Sequence, residues 1–131
     1  MSKINAVVID DEFFNRGLIT LLISRLSNDI DVVAEAEGIR EGARLIQLHK
    51  PDVVFLDIKM PDGSGFDLIE KFPGFQFEVV FITGFDEYES VAAEHNALDY
   101  VLKPIDIDKF KHTLEKIRQA VHVKRKGETG G

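Results

Sequence analysis

The chain has 131 residues, of which 44% are hydrophobic, no cysteine, and a formal net charge of -7 at pH 7. This length fits a single domain that buries a core without disulfides, and the lack of cysteine also excludes cysteine-ligated metal sites. The acidic charge argues against nucleic-acid binding by the domain body, and no apolar run approaches the ~20 residues of a membrane span. Since no signal-peptide pattern follows Met1, we expect a cytoplasmic protein with no membrane partner.

Short apolar runs alternate along the chain with segments of helical periodicity. The predicted strands cover residues 4–9, 31–36, 53–56, 79–82 and 100–102. The predicted helices cover about 14–26, 39–49, 66–72, 86–94 and 107–121. This alternation is typical of a doubly wound α/β fold with a five-stranded parallel sheet and five helices. Right-handed crossovers favour the flavodoxin-like strand order 2-1-3-4-5.

The last ten residues differ in composition from the rest of the chain. We assign residues 1–121 to the α/β domain and residues 122–131 to a C-terminal tail or truncated linker, because the chain closes in Gly-Glu-Thr-Gly-Gly. This segment contains the basic run Lys124-Arg125-Lys126. We interpret the run as a solvated helix end, with a nucleic-acid or membrane contact as the alternative.

Carboxylates directly follow two of the predicted strands. Asp10, Asp11 and Glu12 come after the first strand, and Asp57 comes after the third. These strands are neighbours in the predicted order, so the acids share one pocket at the carboxyl edge, where open α/β sheets bind ligands. Carboxylates this close raise one another's pKa unless a cation neutralises them. Ligands that are all oxygen atoms, at an edge open to solvent, suit Mg²⁺, with Mn²⁺ or Ca²⁺ as alternatives.

A hydroxyl and an ammonium are predicted at the same edge. Thr83 follows the fourth strand, and Lys103 follows the fifth, about 10 Å from Asp57, a gap that a lysine side chain covers largely. A metal-bound carboxylate beside these two groups can receive a phosphoryl group. Asp57 would then be the nucleophile, while Lys103 offsets charge on the phosphoryl oxygens and Thr83 donates a hydrogen bond.

These motifs, in this order, resemble the active-site pattern of bacterial two-component response-regulator receiver domains over residues 3 to about 121. The matching residues are Asp10-Asp11, Asp57 followed by Met60-Pro61 and Gly63, Thr83, and Lys103-Pro104. The resemblance implies that Asp57 is the phosphoacceptor for a sensor histidine kinase. It also implies that Mg²⁺ is held by Asp11, by Asp10 mainly through water, by Asp57 and by the backbone carbonyl of Lys59.

The resemblance further implies a switching mechanism. Thr83 and Tyr100 would form the switch pair, and the Lys103–Pro104 peptide bond is expected to be cis. Phosphorylation would draw Thr83 towards the phosphoryl group and let Tyr100 turn inward. That movement would change the face built from helix 4, strand 5 and helix 5, which is expected to form a homodimer. The alternative for Tyr100 is an ordinary half-buried strand tyrosine.

The segment Asn-Ala-Leu-Asp-Tyr-Val-Leu-Lys-Pro-Ile at 96–105 is similar to the LytTR (LytR/AlgR-type) class of transcription regulators, whose second domain binds DNA. Nothing after Val121 can form such a domain. We therefore expect DNA contact only through an output domain outside this chain, which would be an isolated receiver or a truncated part of a longer protein.

Three other functions remain open from the sequence. An aspartate-nucleophile phosphohydrolase acting on external substrates commonly needs an acid two residues after the nucleophile, where this chain has Lys59, a poor proton donor at neutral pH. A flavodoxin-like cofactor binder would face repulsion between the acidic edge and a flavin phosphate. A receiver could also act as a phosphorylation-independent interaction module. We expect no enzymatic turnover, only phosphorylation and dephosphorylation of the chain itself.

Overall fold

A five-stranded parallel sheet forms the centre of the computed structural model, which describes residues 3–130, with side chains described through residue 127. Its strands are β1 (Ile4–Ile9), β2 (Ile30–Ala36), β3 (Val53–Leu56), β4 (Glu78–Thr83) and β5 (Asp99–Leu102). The helices are α1 (Phe13–Leu26), α2 (Ile39–His49), α3 (Gly65–Glu70), α4 (Glu89–Glu94) and α5 (Ile107–Gly130). The strand order is β2-β1-β3-β4-β5 with all pairs parallel, which confirms the predicted fold. A two-residue antiparallel hairpin, Lys59–Met60 with Gly63–Ser64, follows β3.

The sheet separates two apolar layers. One layer combines sheet residues with residues of α2, α3 and α4, among them Ile9, Leu56, Phe81, Leu68 and Ala92. The opposite layer combines the sheet with α1 and α5, among them Val8, Phe55, Ile19, Phe110 and Ile117. Since successive strand residues point to opposite faces, a strand covered on both sides needs apolar residues at every position. This is why β3 is an unbroken apolar run.

Helix α4 is shorter than the sequence pattern indicates. The predicted helix begins at residue 86, whereas the structure has a turn through Tyr88 and begins the helix at Glu89. Among the residues of α4, only Ala92 is buried. A helix that buries so little apolar surface is weakly held, so α4 is suited to move.

Helix α5 continues through the segment predicted to be a tail. Its side chains form ion pairs at the amino edge of the sheet: Arg118–Asp29 at 3.0 Å, Lys124–Glu78 at 3.2 Å and Arg125–Asp52 at 3.2 Å. The chain therefore contacts the domain body beyond Val121, while its role as a linker stays a prediction. Even this longest helix is too polar to cross a bilayer, and no other helix within residues 3–130 has the necessary length and apolar character.

The side chain of Asp99 joins β5 to α5. It is 7% exposed and accepts hydrogen bonds from the Thr113 hydroxyl at 2.7 Å and the Lys109 ammonium at 3.0 Å. Burial alone would raise the pKa of Asp99, but the hydrogen bonds from Thr113 and Lys109 outweigh burial and hold the pKa below its ordinary value. The ionised carboxylate therefore stabilises the packing of α5 on the sheet.

We expect Asp99→Asn to lower the free energy of unfolding by about 1–3 kcal/mol near neutral pH, because hydrogen bonds to a charged group are lost. The folded-state pKa of Asp99 is depressed, so its contribution is complete above the unfolded value of about 3.9 and is lost as the pH falls through the folded value. Denaturant unfolding over this range should show wild type and variant converging in acid. Asp31→Asn, at an exposed position of β2, is the control and should change little. A stability difference independent of pH would contradict this assignment.

Candidate functional site

Residues from three strands meet at the carboxyl edge of the sheet. Asp10 follows β1, Asp57 follows β3 and Lys103 follows β5. The Lys103 Nζ donates hydrogen bonds to Asp10 Oδ2 at 2.7 Å and to Asp57 Oδ2 at 2.8 Å. The two carboxylate side chains are 1% and 9% exposed. One ammonium thus compensates two largely buried acids, which would otherwise repel each other.

Burial and charge act in opposite directions on these groups. Burial lowers the pKa of Lys103, but the hydrogen bonds and charges of Asp10 and Asp57 outweigh it, so the pKa lies above its ordinary value. Burial raises the pKa of Asp10, and the hydrogen bonds from Lys103 and from the Glu12 amide offset this only in part. The lysine therefore stays charged at neutral pH, and a further nearby cation would favour the ionised form of Asp10.

The loop after β1 supplies further oxygen ligands. Asp11 and Glu12 are exposed, and their carboxylate oxygens and those of Asp10 lie within 4.8 Å of one another. The Asp57 N–H donates to the Ile9 carbonyl oxygen at 3.0 Å, which fixes the end of β3 beside this loop. Hard carboxylate oxygens that are partly open to water fit Mg²⁺. Glu12 belongs to this cluster although the sequence prediction did not include it among the ligands.

Thr83 lies at the end of β4 and is fully buried. Its hydroxyl has no hydrogen-bond partner among the described residues. Since Phe81 pairs with Leu56 across β4 and β3, Thr83 lies close to the end of β3, where Asp57 follows. A buried hydroxyl without a partner costs about 1–3 kcal/mol, so this position favours any added acceptor.

Tyr100 is already turned inward. It is 8% exposed, and its hydroxyl donates a hydrogen bond to the Phe85 carbonyl oxygen in the loop after β4. The same loop contacts Lys59, whose ammonium lies 4.3 Å from the Phe85 ring centroid and 5.7 Å from that of Tyr88. The Lys59 side chain therefore interacts with the β4–α4 loop, and Tyr100 reaches that loop from β5.

Two backbone features shape the site. The Lys103–Pro104 peptide bond is cis. At the start of α3, a Cβ on Gly65 would lie 2.5 Å from the Asp57 carbonyl oxygen, which only glycine avoids. Sequence reasoning missed this role of Gly65, because a close backbone approach leaves no sequence pattern besides the glycine itself.

Arg16 is a second residue that sequence reasoning missed. Its Nη1 donates a hydrogen bond to the Asp10 carbonyl oxygen at 2.7 Å. In the sequence it stands between Asn15 and Gly17, and no spacing or motif distinguishes it from a solvated side chain.

Comparisons with known proteins agree with this geometry. The model of the family "Response regulator receiver domain" matches residues 6–115. The chain is 42% identical over 115 residues to an uncharacterised response regulatory protein of Vibrio cholerae, covering 87% of this chain and 48% of that protein. It is 38% identical over 117 residues to the transcriptional regulatory protein BtsR of Escherichia coli K12, covering 88% and 48% respectively. The response regulatory domain of mrkE from Klebsiella pneumoniae superposes with a TM-score of 0.82 at 29% identity, covering 88% of this chain and 96% of that domain.

The chain therefore belongs to the response regulator receiver domain family and is the receiver domain of a two-component response regulator. This confirms the predicted family. Receiver domains are signalling switches that bind Mg²⁺ at an acidic pocket and work with sensor histidine kinases. The chain spans about half the length of the curated relatives it matches.

We expect Thr83→Val to raise the free energy of unfolding by up to about 1 kcal/mol in Mg²⁺-free buffer, because it removes an unpartnered buried hydroxyl and keeps the side-chain shape. Thr113→Val is the matched control, since Thr113 is equally buried and its hydroxyl donates to Asp99 at 2.7 Å. That substitution should lower stability by about 1–2 kcal/mol. Denaturant unfolding compares the three proteins, and equal losses at the two threonines would contradict the assignment.

Proposed function

We propose that this chain is a phosphorylation-activated switch in which Asp57 accepts a phosphoryl group from a sensor histidine kinase in the cytoplasm. The observation that carries the proposal is the Lys103 ammonium bonded to both Asp10 and Asp57, with Thr83 on the neighbouring strand end, whose buried hydroxyl has no partner among the described side chains. A phosphoryl group on Asp57 supplies negative oxygens to both donors. Because the chain has every group that phosphorylation of Asp57 requires, we favour this function over signalling that is independent of phosphorylation.

In the transfer, a carboxylate oxygen of Asp57 forms a bond to phosphorus while the bond from phosphorus to the kinase histidine nitrogen breaks, and that nitrogen keeps the electron pair. Lys103 offsets the charge on the phosphoryl oxygens. Asp10, Asp11, Asp57 and the Lys59 carbonyl would hold the metal, for which Mn²⁺ or Ca²⁺ satisfy the same ligand type. Bound Mg²⁺ supplies additional compensation of phosphoryl charge.

The proposed switch starts from a difference between two hydroxyls: that of Tyr100 is hydrogen-bonded, and that of Thr83 has no partner among the described residues. A phosphoryl group gives the Thr83 hydroxyl the acceptor it lacks. Tyr100 is inward already, so phosphorylation stabilises this arrangement and shifts a population towards it, rather than creating it. A change from 1:99 to 99:1 requires about 5.5 kcal/mol, which takes several charge-assisted contacts.

The output surface we propose is the face of α4, β5 and α5, which forms a homodimer when Asp57 is phosphorylated. Leu102 and Ile107 lie on β5 and at the start of α5, and they are 44% and 50% exposed. Apolar side chains of this size on one face can be covered by a second copy of the same face. Weakly held α4 lets this face respond to the site.

We also propose that the chain is of the LytTR class and controls transcription through a DNA-binding output domain outside this chain. The segment at 96–105 and the similarity to BtsR, a transcriptional regulatory protein, support this. Residues 1–121 would then be the receiver and residues 122–131 the linker. The chemistry is confined to phosphorylation and autodephosphorylation of Asp57, without turnover of external substrates.

Incubation with acetyl phosphate and Mg²⁺ should add one phosphoryl group to the wild type and none to Asp57→Asn, because acetate leaves as Asp57 attacks. Intact mass measures the product. Asp86→Asn, at an exposed position of the nearby β4–α4 loop, is the control and should be phosphorylated like the wild type. Removal of Mg²⁺ with a chelator should suppress this increase in mass. Phosphorylation of Asp57→Asn to the wild-type level would overturn the proposal.

Beryllofluoride, a phosphoryl mimic, should tighten self-association of the wild type, measured by sedimentation equilibrium with Mg²⁺. Ile107→Ser should weaken this dimer about tenfold or more, because a large exposed apolar side chain of the proposed face is lost. Leu48→Ser, at a position of α2 that is 64% exposed, is the matched control on another face. A dimer affinity indifferent to beryllofluoride, or equally sensitive to both substitutions, would count against the α4-β5-α5 face.

A further inference from the structure

We infer that Arg16 is a positioning residue that holds the Asp10–Glu12 loop in its Mg²⁺-binding arrangement, and that Glu35 of β2 orients Arg16 for this task. The inference rests on the proposed function, because it concerns the metal ligands of the same site. It assigns a role to a side chain that touches neither Asp57 nor the predicted ligand oxygens.

The contacts of Arg16 connect three separate elements. From the first turn of α1, its Nη1 donates to the Asp10 carbonyl oxygen at 2.7 Å, and its Nε lies 3.4 Å from Glu35 Oε1. Thr20, one turn further along α1, donates its hydroxyl to Glu35 Oε2 at 3.2 Å. The Arg16 side chain is 12% exposed, and its guanidinium lies 5.8 Å from the Phe13 ring centroid. The arginine is thus fixed from several sides.

Within residues 3–130, Asp10 makes three hydrogen bonds besides the one that it accepts from Arg16. Its N–H donates to the Ala36 carbonyl oxygen at 3.0 Å, and its Oδ1 accepts the Glu12 N–H at 2.9 Å. Its Oδ2 accepts a hydrogen bond from the Lys103 ammonium, which must also bind the phosphoryl oxygens once Asp57 is phosphorylated. The hydrogen bond from Arg16 goes to the backbone carbonyl oxygen of Asp10 and leaves both carboxylate oxygens free to bind other groups. It therefore holds the loop in both states of the site.

Glu35 is placed for its role by the sheet. It pairs with Val8 in the register of β1 and β2, two residues before Asp10. Its side chain is 38% exposed, so the ion pair with Arg16 is at the rim and is screened by solvent. The pair orients the guanidinium more than it adds stability.

Loss of Arg16 has two opposing effects on Mg²⁺ affinity. The positive charge of Arg16 repels a cation, so a purely electrostatic role predicts tighter binding when the charge is removed. Residues that orient metal ligands contribute 10–100-fold to metal affinity, so positioning predicts weaker binding. Because Glu35 offsets the charge of Arg16, the repulsion between Arg16 and Mg²⁺ is small. We therefore expect the loss of positioning to dominate and Mg²⁺ binding to weaken. The sign of the change separates the two roles.

The test is calorimetric titration of the whole chain with Mg²⁺. Arg16→Met should weaken binding about tenfold. Arg16→Lys, which keeps the charge but cannot reach both partners with separate nitrogens, should fall between Met and wild type. Glu35→Gln should weaken binding about threefold, and the double variant should match Arg16→Met alone, because Glu35 acts through Arg16. Arg44→Met, at an arginine of α2 that is 61% exposed and paired with Glu41, is the control and should bind like the wild type.

Amide hydrogen exchange measures the order of the Asp10–Glu12 loop, and denaturant unfolding measures stability, both in Mg²⁺-free buffer. In Arg16→Met, exchange at Asp11 and Glu12 should be faster than in wild type, while the core strands exchange as before. Unchanged or tighter Mg²⁺ binding by Arg16→Met, or a loss of stability without a loss of affinity, overturns the inference and leaves the proposed function intact. A wild type that fails to bind Mg²⁺ overturns the proposed function itself. If Arg16→Met does not fold, Arg16→Lys decides the question, because it keeps the charge and so changes Mg²⁺ affinity only if Arg16 positions the loop.

Discussion

The bond of one ammonium to two buried carboxylates is the constraint on which the rest of this structure depends. Lys103 reaches Asp57 only because β5 lies beside β4 in a parallel register that pairs Thr83 with Leu102. The Lys103 N–H also donates to the Thr83 carbonyl oxygen at 2.8 Å, so the hydroxyl and the ammonium are fixed to each other by the sheet. A slip of one residue would turn these side chains to the opposite face and leave the acids uncompensated. Fold and site are therefore specified together.

The strand order and the meeting of Asp10, Asp57 and Lys103 could be predicted from the sequence, because buried strands are continuous apolar runs and parallel strands end at one edge. Helix limits were predicted less well. Tyr88 follows three exposed or half-buried residues that carry little pattern, so the turn before α4 was not visible. The extension of α5 depends on ion pairs such as Lys124–Glu78, which join residues far apart in the chain. Contacts of this kind leave no local periodicity.

The roles of Gly65 and Arg16 were missed for a related reason. Each acts on the backbone of a site residue, one by leaving space beside the Asp57 carbonyl and the other by bonding the Asp10 carbonyl. Motif reasoning finds side chains that carry chemistry, and it does not find those that shape the main chain behind them. The structure also separates Thr83 from Tyr100, since Tyr100 is already satisfied and Thr83 is not. The two halves of the expected switch therefore need not change together.

The ion pairs of α5 with Asp29, Asp52 and Glu78 fasten this helix at the end of the sheet opposite to Asp57. Nearer the start of the helix, Asp99 holds α5 through Thr113 and Lys109, so the helix, about 36 Å long, is fastened to the sheet at two places along its length. The anchoring pairs are partly exposed, so dissolved ions weaken them. The attachment of the C-terminal half of α5 therefore weakens as the ionic strength rises, whereas its buried attachment through Asp99 is screened much less.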